Sequence, residues 1–472
     1  MNTKTMLELS AAVLLAGCAV GPDYQAPRPN VAKSFASLET GQASVATARS
    51  ADLSRWWLSF KDPVLDALVD RALESSLDLK AAASRVREAR ALRGVAQGAL
   101  LPEVDGSGSY NRVRYSQNAP LPSDGKPFNL YQAGFDASWE IDVFGGARRS
   151  VEAAQAEEEA SVENLRDVRV TLLAEVARNY VELRGFQTQL AIARQNVEAQ
   201  QKTFELTKAR RDAGRATDFD VARAEAQVST TASAIPVFES ALRLSIHRLG
   251  VLLGREPGAL SAELSTPRPI PAAPSEIPVG LPTELLRRRP DLRRSERELA
   301  ASTARIGLAT ADLYPHFFLT GAYGLQSVGA SDFATASSRM WSVGPQIQWA
   351  LFQGGRIRAN IEAHSARQER AAIQFEQSLL EALRDVEDAL VLHAREQARR
   401  GKLAQAVAAE ERAAQLADQR YAQGLVDFLN VLDAERQLYS AQDALVQSER
   451  EVATHSIALY KAVGGGWMVE ER

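Results

Sequence analysis

Between Tyr131 and Val143 apolar and polar residues alternate. Tyr131, Ala133, Phe135, Ala137, Trp139, Ile141 and Val143 fall on one face, and Gln132, Gly134, Asp136, Ser138, Glu140 and Asp142 on the other. The pattern recurs at Trp341, Val343, Pro345, Ile347, Trp349 and Leu351, set against Ser342, Gly344, Gln346, Gln348 and Ala350. A period of two predicts strands. Partner strands are predicted from Val104 to Tyr115 and from Phe317 to Ser327, each entered from a Leu-Pro or Tyr-Pro step. Aromatic residues along and near the ends of the apolar face suit a lipid-facing strand of a transmembrane barrel with a wet interior. A soluble half-buried sheet gives the same alternation. Pro345 cannot donate to a ladder, which predicts a bulge or local break there.

After each strand pair the period changes. Stretches rich in Ala, Glu, Gln, Arg and Leu run from about Ala147 to Ala213 and from about Arg356 to Gln423. Leu172, Val176, Tyr180 and Leu183, and likewise Leu379, Leu383, Val386 and Leu390, recur at three and four spacings, which is a helix-packing stripe rather than a cofactor box. At ~1.5 Å per residue each helix would reach roughly 100 Å. Gly185 and Gly401 each cost their helix about 1 kcal/mol relative to Ala and predict bends. Shorter returning helices are predicted at about Phe219 to Leu253 and Phe428 to Val463, and leading ones at about Leu79 to Leu100 and Asp291 to Leu313. A long helix can thus lie beside two short ones stacked end to end.

The two sets of elements are echoes of one another. Trp139-Glu-Ile-Asp-Val-Phe-Gly-Gly146 returns as Trp349-Ala-Leu-Phe-Gln-Gly-Gly355. Gly214 followed by Asp220-Val221-Ala-Arg-Ala-Glu225 returns as Gly424 followed by Asn430-Val431-Leu-Asp-Ala-Glu435, and Leu252-Leu253-Gly254 as Ala462-Val463-Gly464. The separation stays at about 210 residues, the mark of a duplicated structural unit.

A chain of 472 residues carrying 55 basic and 59 acidic side chains is nearly balanced, which argues against nucleic acid as a partner. No run of 18 or more apolar residues appears, so a membrane crossing would have to use strands. Four strands cannot close a barrel, because the smallest common membrane barrels need about eight. Several chains would have to contribute, and the sequence by itself leaves dimer, trimer and tetramer open. The single cysteine, Cys18, ends Leu15-Ala16-Gly17-Cys18 after an apolar run from Leu9 to Leu15, with Lys4 ahead of it and Glu8 interrupting. That is the layout of a bacterial lipoprotein signal over residues 1–17, and it reads Cys18 as a lipid attachment point.

Catalytic chemistry finds little support. The five histidines, His247, His316, His364, His393 and His455, form no pair at metal-ligand spacing, and no nucleophile elbow or phosphate-binding glycine loop is present. His393 and Glu396 share a helix face and read as a surface pair rather than a metal site. Arg287 to Arg289, beside Pro290, reads as a solvated or salt-bridged helix entrance. The chain is expected to be no enzyme, with no metal and no cofactor beyond a covalent lipid on Cys18. Energy for any transport would come from a partner.

Several motifs together carry a resemblance. Cys18-Ala-Val-Gly-Pro-Asp-Tyr24, Trp56-Trp57 with Phe60, Asp62 and Pro63, Arg288-Arg289-Pro290-Asp291 with Arg293 and Glu296, Ala311-Asp-Leu-Tyr-Pro315 and the Gly-Gly-Gly-Trp467 terminus stand in order across nearly the whole chain. In these the chain resembles the TolC-like outer-membrane efflux factors, in particular their NodT-type lipoprotein branch serving tripartite RND pumps. The lipobox resemblance implies cleavage before Cys18, acylation of its thiol and export. The inner-membrane retention Asp is absent after Cys18, which implies sorting to the outer membrane.

The resemblance implies a mixed, mainly α fold: a homotrimer whose four strands per chain make a twelve-stranded transmembrane β-barrel, continued by a long coiled-coil α-helical periplasmic tunnel. It implies a belt around the tunnel from the segment after Cys18, the Pro-rich linker and the C-terminus. The division expected is residues 18–75 as anchor and equatorial segment and 76–254 as repeat 1, with its strand pair at about 103–143. Residues 255–290 follow as linker, 291–463 as repeat 2, with its strand pair at about 316–351, and 464–472 as tail. The hairpin tips, Gly214, Arg215, Ala216 and Thr217 with Gly424, Leu425 and Val426, would face a periplasmic adaptor protein linked to an inner-membrane RND-type pump. The gate would lie in Asp427-Phe-Leu-Asn430-Val-Leu-Asp433, with Asp433 as the acidic ring, Leu429 as an apolar constriction and Asn430 departing from a double-aspartate pattern. The function implied is passive export of drugs and other small toxic molecules. The alternatives are a type I protein-secretion outlet and a non-transporting envelope scaffold lipoprotein.

Overall fold

The structure is a computed structural model that describes residues 19–37, 44–45, 53–118, 125–274 and 276–467. Cys18 and the signal segment lie outside the described residues. The chain forms two compact units. One holds residues up to Arg28 with Arg85–Val162 and Arg294–Glu376, and the other holds Pro29–Ser84, Glu163–Arg293 and Gln377–Arg472.

The first unit is built on a four-stranded antiparallel sheet of β1 (Glu103–Val113), β2 (Phe128–Ile141), β3 (His316–Ser327) and β4 (Arg339–Gln348), in the order β1-β2-β3-β4. The register turns the alternation of each strand into two continuous faces. Phe135 lies opposite Tyr323 and Tyr323 opposite Trp341, while Ile141 pairs with Phe317 and Phe317 with Ile347. On the reverse face Asp136 neighbours Asp105, and Glu140 lies close to His316 at 2.6 Å. The apolar face stays open, with Phe135 at 62% and Trp341 at 73% exposure. Gly134 and Gly324 face each other across the β2–β3 seam, and a Cβ on Gly324 would stand 2.6 Å from the Ala133 carbonyl oxygen.

The break expected at Pro345 is absent: register runs without interruption from His316 opposite Gln348, through Leu319 opposite Pro345, to Leu325 opposite Arg339. The reason is position. β4 is an edge strand within the chain, the kind of strand in which proline is found, and its register with β3 is kept through Pro345.

At the base of the sheet the duplication is visible in hydrogen bonds. The Trp139 indole donates to the Leu100 carbonyl at 3.0 Å, just past α2 (Leu77–Gly98), and the Trp349 indole donates to the Leu313 carbonyl at 3.1 Å, just past α6 (Pro290–Ala311). Residues 19–28 belong to this unit. The Tyr24 hydroxyl donates to Glu296 Oε1 at 3.0 Å, the Val20 amide donates to the Phe144 carbonyl at 3.0 Å, and Arg149 pairs with Asp23 at 2.6 Å.

The second unit carries the main core. Asp62 caps α1 (Pro63–Ser75), accepting from the Val64 and Leu65 amides at 2.8 and 3.2 Å while Pro63 occupies the first turn, where its missing N–H costs nothing. The other carboxylate oxygen of Asp62 accepts from the Tyr180 hydroxyl at 2.8 Å, tying the cap to α3 (Gly146–Asp212). Trp57 is buried, and Trp56 stacks on Tyr460 of α8 (Phe428–Ala462) with centroids 5.1 Å apart. Near the C-terminus the Trp467 ring has the Arg166 and Arg293 guanidinium groups 4.7 and 5.3 Å from its centroid and donates to the Arg288 carbonyl at 3.0 Å. Arg289, the core of the basic cluster, is paired with Asp291 at 2.6 Å and Asp385 at 3.2 Å, as expected of a salt-bridged helix entrance. The linker is held by α3: Arg184 and Gln187 donate to the Thr266 and Leu264 carbonyls at 2.9 and 2.7 Å.

One helical expectation changes. The first return helix is two, α4 (Asp218–Ala232) and α5 (Ala234–Leu252), because Pro236 cannot donate to the Ala232 carbonyl four residues back. Helix α3 and α7 (Arg356–Ala422) remain helical through Gly185 and Gly401. Gly185 is a point of close approach, where a Cβ would meet Arg450 Cδ at 2.9 Å. No described helix is long and apolar enough to cross a membrane.

The sheet yields a contrast. Gly324→Ala is expected to destabilise it by about 1–3 kcal/mol through overpacking. Gly344→Ala, with open space around its Cβ, should be neutral or slightly stabilising. Thermal loss of the strand circular-dichroism signal compares the two.

Candidate functional site

The two hairpin turns of the second unit close in the same way. Helix α3 ends at Asp212, Gly214 follows at φ +72, its amide donates to Arg211 and the Arg215 amide to the Arg210 carbonyl at 2.8 Å. Helix α7 ends at Ala422, Gly424 follows at φ +77, its amide donates to Tyr421 and the Leu425 amide to the Arg420 carbonyl at 2.9 Å. A positive φ beyond the last helical turn favours glycine, and the paired bonds satisfy carbonyls that the helix end leaves open. The next helices start differently. Thr217 and Asp220 form a reciprocal capping box for α4, whereas Asp427 at the head of α8 makes no side-chain cap.

The tips are packed together. Tyr421 and Phe428 have ring centroids 5.9 Å apart and are buried with Ala224, Val431 and Leu432. Arg210 donates to the Tyr421 carbonyl and lies 4.4 Å over its ring. The first-turn residues of α8 therefore divide. Phe428, Val431, Leu432 and Glu435 point into the packing, while Leu429, Asn430 and Asp433 are exposed on the opposite side, along with Leu425 and Asp427 in the turn. Gly214, Arg215 and Thr217 are exposed at the first tip, with Ala216 and Val426 half-buried.

Glu435 was missed by sequence reasoning although its signal was present. It continues the apolar stripe Phe428, Val431, Leu432 at helical spacing, which places a carboxyl where a Leu would be expected. It is 9% exposed and accepts from the Thr203 hydroxyl of α3 at 2.8 Å. Burial first, and Asp418 of α7 after it, push its pKa up to about 7 against the pull of the Thr203 hydrogen bond.

A second cluster corrects an expectation. The face shared by His393 and Glu396 is not surface but the seam between α7 and α8. His393 is fully buried, with Nδ1 3.3 Å from Ser456 Oγ and Nε2 2.9 Å from Gln397 Nε2. Glu396 gathers with Glu451 and His455, their ligand atoms within 4.8 Å of one another. Arg399 donates to Glu396 at 3.0 Å and to Glu451 at 3.3 Å, so a cationic side chain already bridges the carboxylates.

Against known proteins, the family described as outer membrane efflux protein matches residues 68–255 and 281–465. The chain belongs to that family. Nodulation protein T of Rhizobium leguminosarum bv. trifolii is 31% identical over 463 residues, spanning 96% of each chain. The solvent efflux pump outer membrane protein SrpC of Pseudomonas putida is 31% identical over 481 residues, 98% of this chain and 99% of its own. Among solved structures the outer-membrane channel OprN superposes with a TM-score of 0.89 at 39% identity, covering 95% of this chain and 100% of that one. This efflux protein is thus an outer-membrane channel component, with the helical tunnel and β domain of TolC-like channels. Both hairpin tips fall inside the matched stretches.

The buried histidine of the efflux protein gives a pH prediction. Burial lowers the His393 pKa to about 4, so the folded state binds fewer protons than the unfolded chain between that value and the ordinary one of about 6.5. Stability should fall as pH drops through this window, by at most about 1.4 kcal/mol per pH unit. Urea unfolding between pH 7 and pH 5 should show the slope, and His393→Gln should reduce it.

Proposed function

We propose that three copies of this chain close one twelve-stranded barrel in the outer membrane and one helical tunnel beneath it, through which small toxic organic molecules leave the periplasm passively. The observation that carries this reading is the four-stranded sheet itself. One face is apolar and open, the other carries Asp105, Asp136, Gln132 and Glu140, and both edge strands lack an outer partner among the described residues. A bilayer leaves no backbone group unpaired, so such a sheet must close with other copies. An envelope scaffold has no use for this alternation.

In this reading the exposed tips at Gly214–Thr217 and Gly424–Val426 dock a periplasmic adaptor, and an inner-membrane RND-type pump supplies energy. Relatives named for solvent efflux support small hydrophobic cargo over protein. The exposed side of α8 faces the tunnel mouth, where Leu429 narrows it and three copies of Asp433 set a negative ring, flanked by Asn430 and Asp427. Like charges brought near one axis favour cations and hold the mouth under tension toward opening. Cys18 carries a lipid, and the chain needs no other cofactor.

Two measurements test the proposal. In planar bilayers the wild-type trimer should give small cation-selective openings, and Asp433→Ala should enlarge the leak or reduce selectivity; no change in either removes Asp433 from the gate. Cys18→Ser should abolish acylation while trimers still form, and mass spectrometry showing an unmodified wild-type N-terminus would overturn the lipid anchor.

A further inference from the structure

We propose that Glu435 is a proton-operated latch of the tip: protonated, it holds α8 against α3 and α7, and ionised, it drives α8 away from that seam. The inference rests on the reading of α8 as the gate helix and names what regulates it.

The geometry carries the argument. Glu435 lies two residues beyond Asp433 but on the other side of the helix, so one carboxyl faces the exposed side while the other is buried behind it. Three helices meet around the buried one. From α3 comes the Thr203 hydroxyl, donating to Glu435 Oε1 at 2.8 Å. From α7 comes Asp418, whose charge opposes ionisation of Glu435. Among the described residues no lysine, arginine or histidine pairs with it. One turn earlier on α3, buried Gln200 has an amide with neither atom partnered, so the layer around Glu435 is polar and incompletely satisfied.

A single hydroxyl cannot satisfy a buried carboxylate, and no cation is there to neutralise it. A neutral carboxylic acid fits the same space without that cost. The latch is therefore closed in acid and released as pH rises. With the folded-state pKa raised to about 7, the proton-linked stability of the packed tip is fully present below the ordinary glutamate range of about 4.3 and is lost as pH rises through about 7. The sign is opposite to that of His393, so the two effects are separable. Periplasmic pH near neutrality would keep the latch poised, with acidification sealing the tip.

The test compares the full-length trimer with Glu435→Gln, which keeps the acceptor and shape of the protonated form. Leak conductance in planar bilayers is read at about pH 6 and about pH 8. The wild type should rise several-fold, up to about tenfold per pH unit below the pKa, while the leak of Glu435→Gln should be the same at both. The step should survive Asp433→Asn on a changed baseline, which separates the latch from the mouth carboxylates. A wild-type leak flat across this range, or a rise that persists in Glu435→Gln, overturns the proposal. Tryptic nicking at the exposed Arg215 and Arg420 gives a readout independent of conduction. The wild-type rate relative to Glu435→Gln should rise several-fold from pH 6 to pH 8; a ratio unchanged between the two overturns the latch. Absence of channels from both proteins would sink the channel reading instead, with the nicking ratio still deciding the latch.

Discussion

A backbone N–H or carbonyl inside hydrocarbon has no water to bond, and that constraint organises this protein. It forbids an open sheet, yet each chain carries four strands whose outer edges have no partner among the described residues. It explains why the apolar side chains of β1 to β4 line up on one face and why Gly134 and Gly324 bring two backbones so close. It also explains why the duplicated unit contributes strands in pairs: each pair is a hairpin already satisfied along its inner seam, and only the outer edges need closing.

The helical part answers to a different demand. Long helices with weakly amphipathic faces gain little from isolated packing, so their register is fixed by specific anchors. Asp62 is one, joining the cap of α1 to Tyr180 of α3. Trp467, in contact with two arginines, joins the C-terminal turn to the residues just before α6. These anchors stand within the family motifs, and each of them touches a segment distant in sequence.

Much of this was legible in the sequence. Period two gave the strands and period near four the long helices, because both signals persist over many residues. What was not legible depended on neighbours. Pro345 stands in β4, at the edge of the chain's own sheet, and keeps its register with β3, a fact of strand order that no local pattern contains. Pro236, by contrast, was a local signal passed over, and it splits the return helix at Ser233. His393 and Glu396 were correctly placed on one face, but only the packing of α8 shows that this face is buried. Asp433 and Leu429 were named from resemblance, and the structure shows them exposed on α8; Glu435 stood in the apolar stripe and could have been found there.

The two tips share one way of ending a helix and differ in how they begin the next. The first begins with the Thr217–Asp220 box, a cap of a kind commonly worth about 1 kcal/mol, while the second begins at Asp427 with none. Duplication therefore left two copies of one turn whose following helices are secured by different means. The start of α4 is held by its own side chains, and the start of α8 by the burial of Phe428 against Tyr421. Loosening the first turn needs only the loss of a local cap, whereas loosening the second requires its aromatic packing to open.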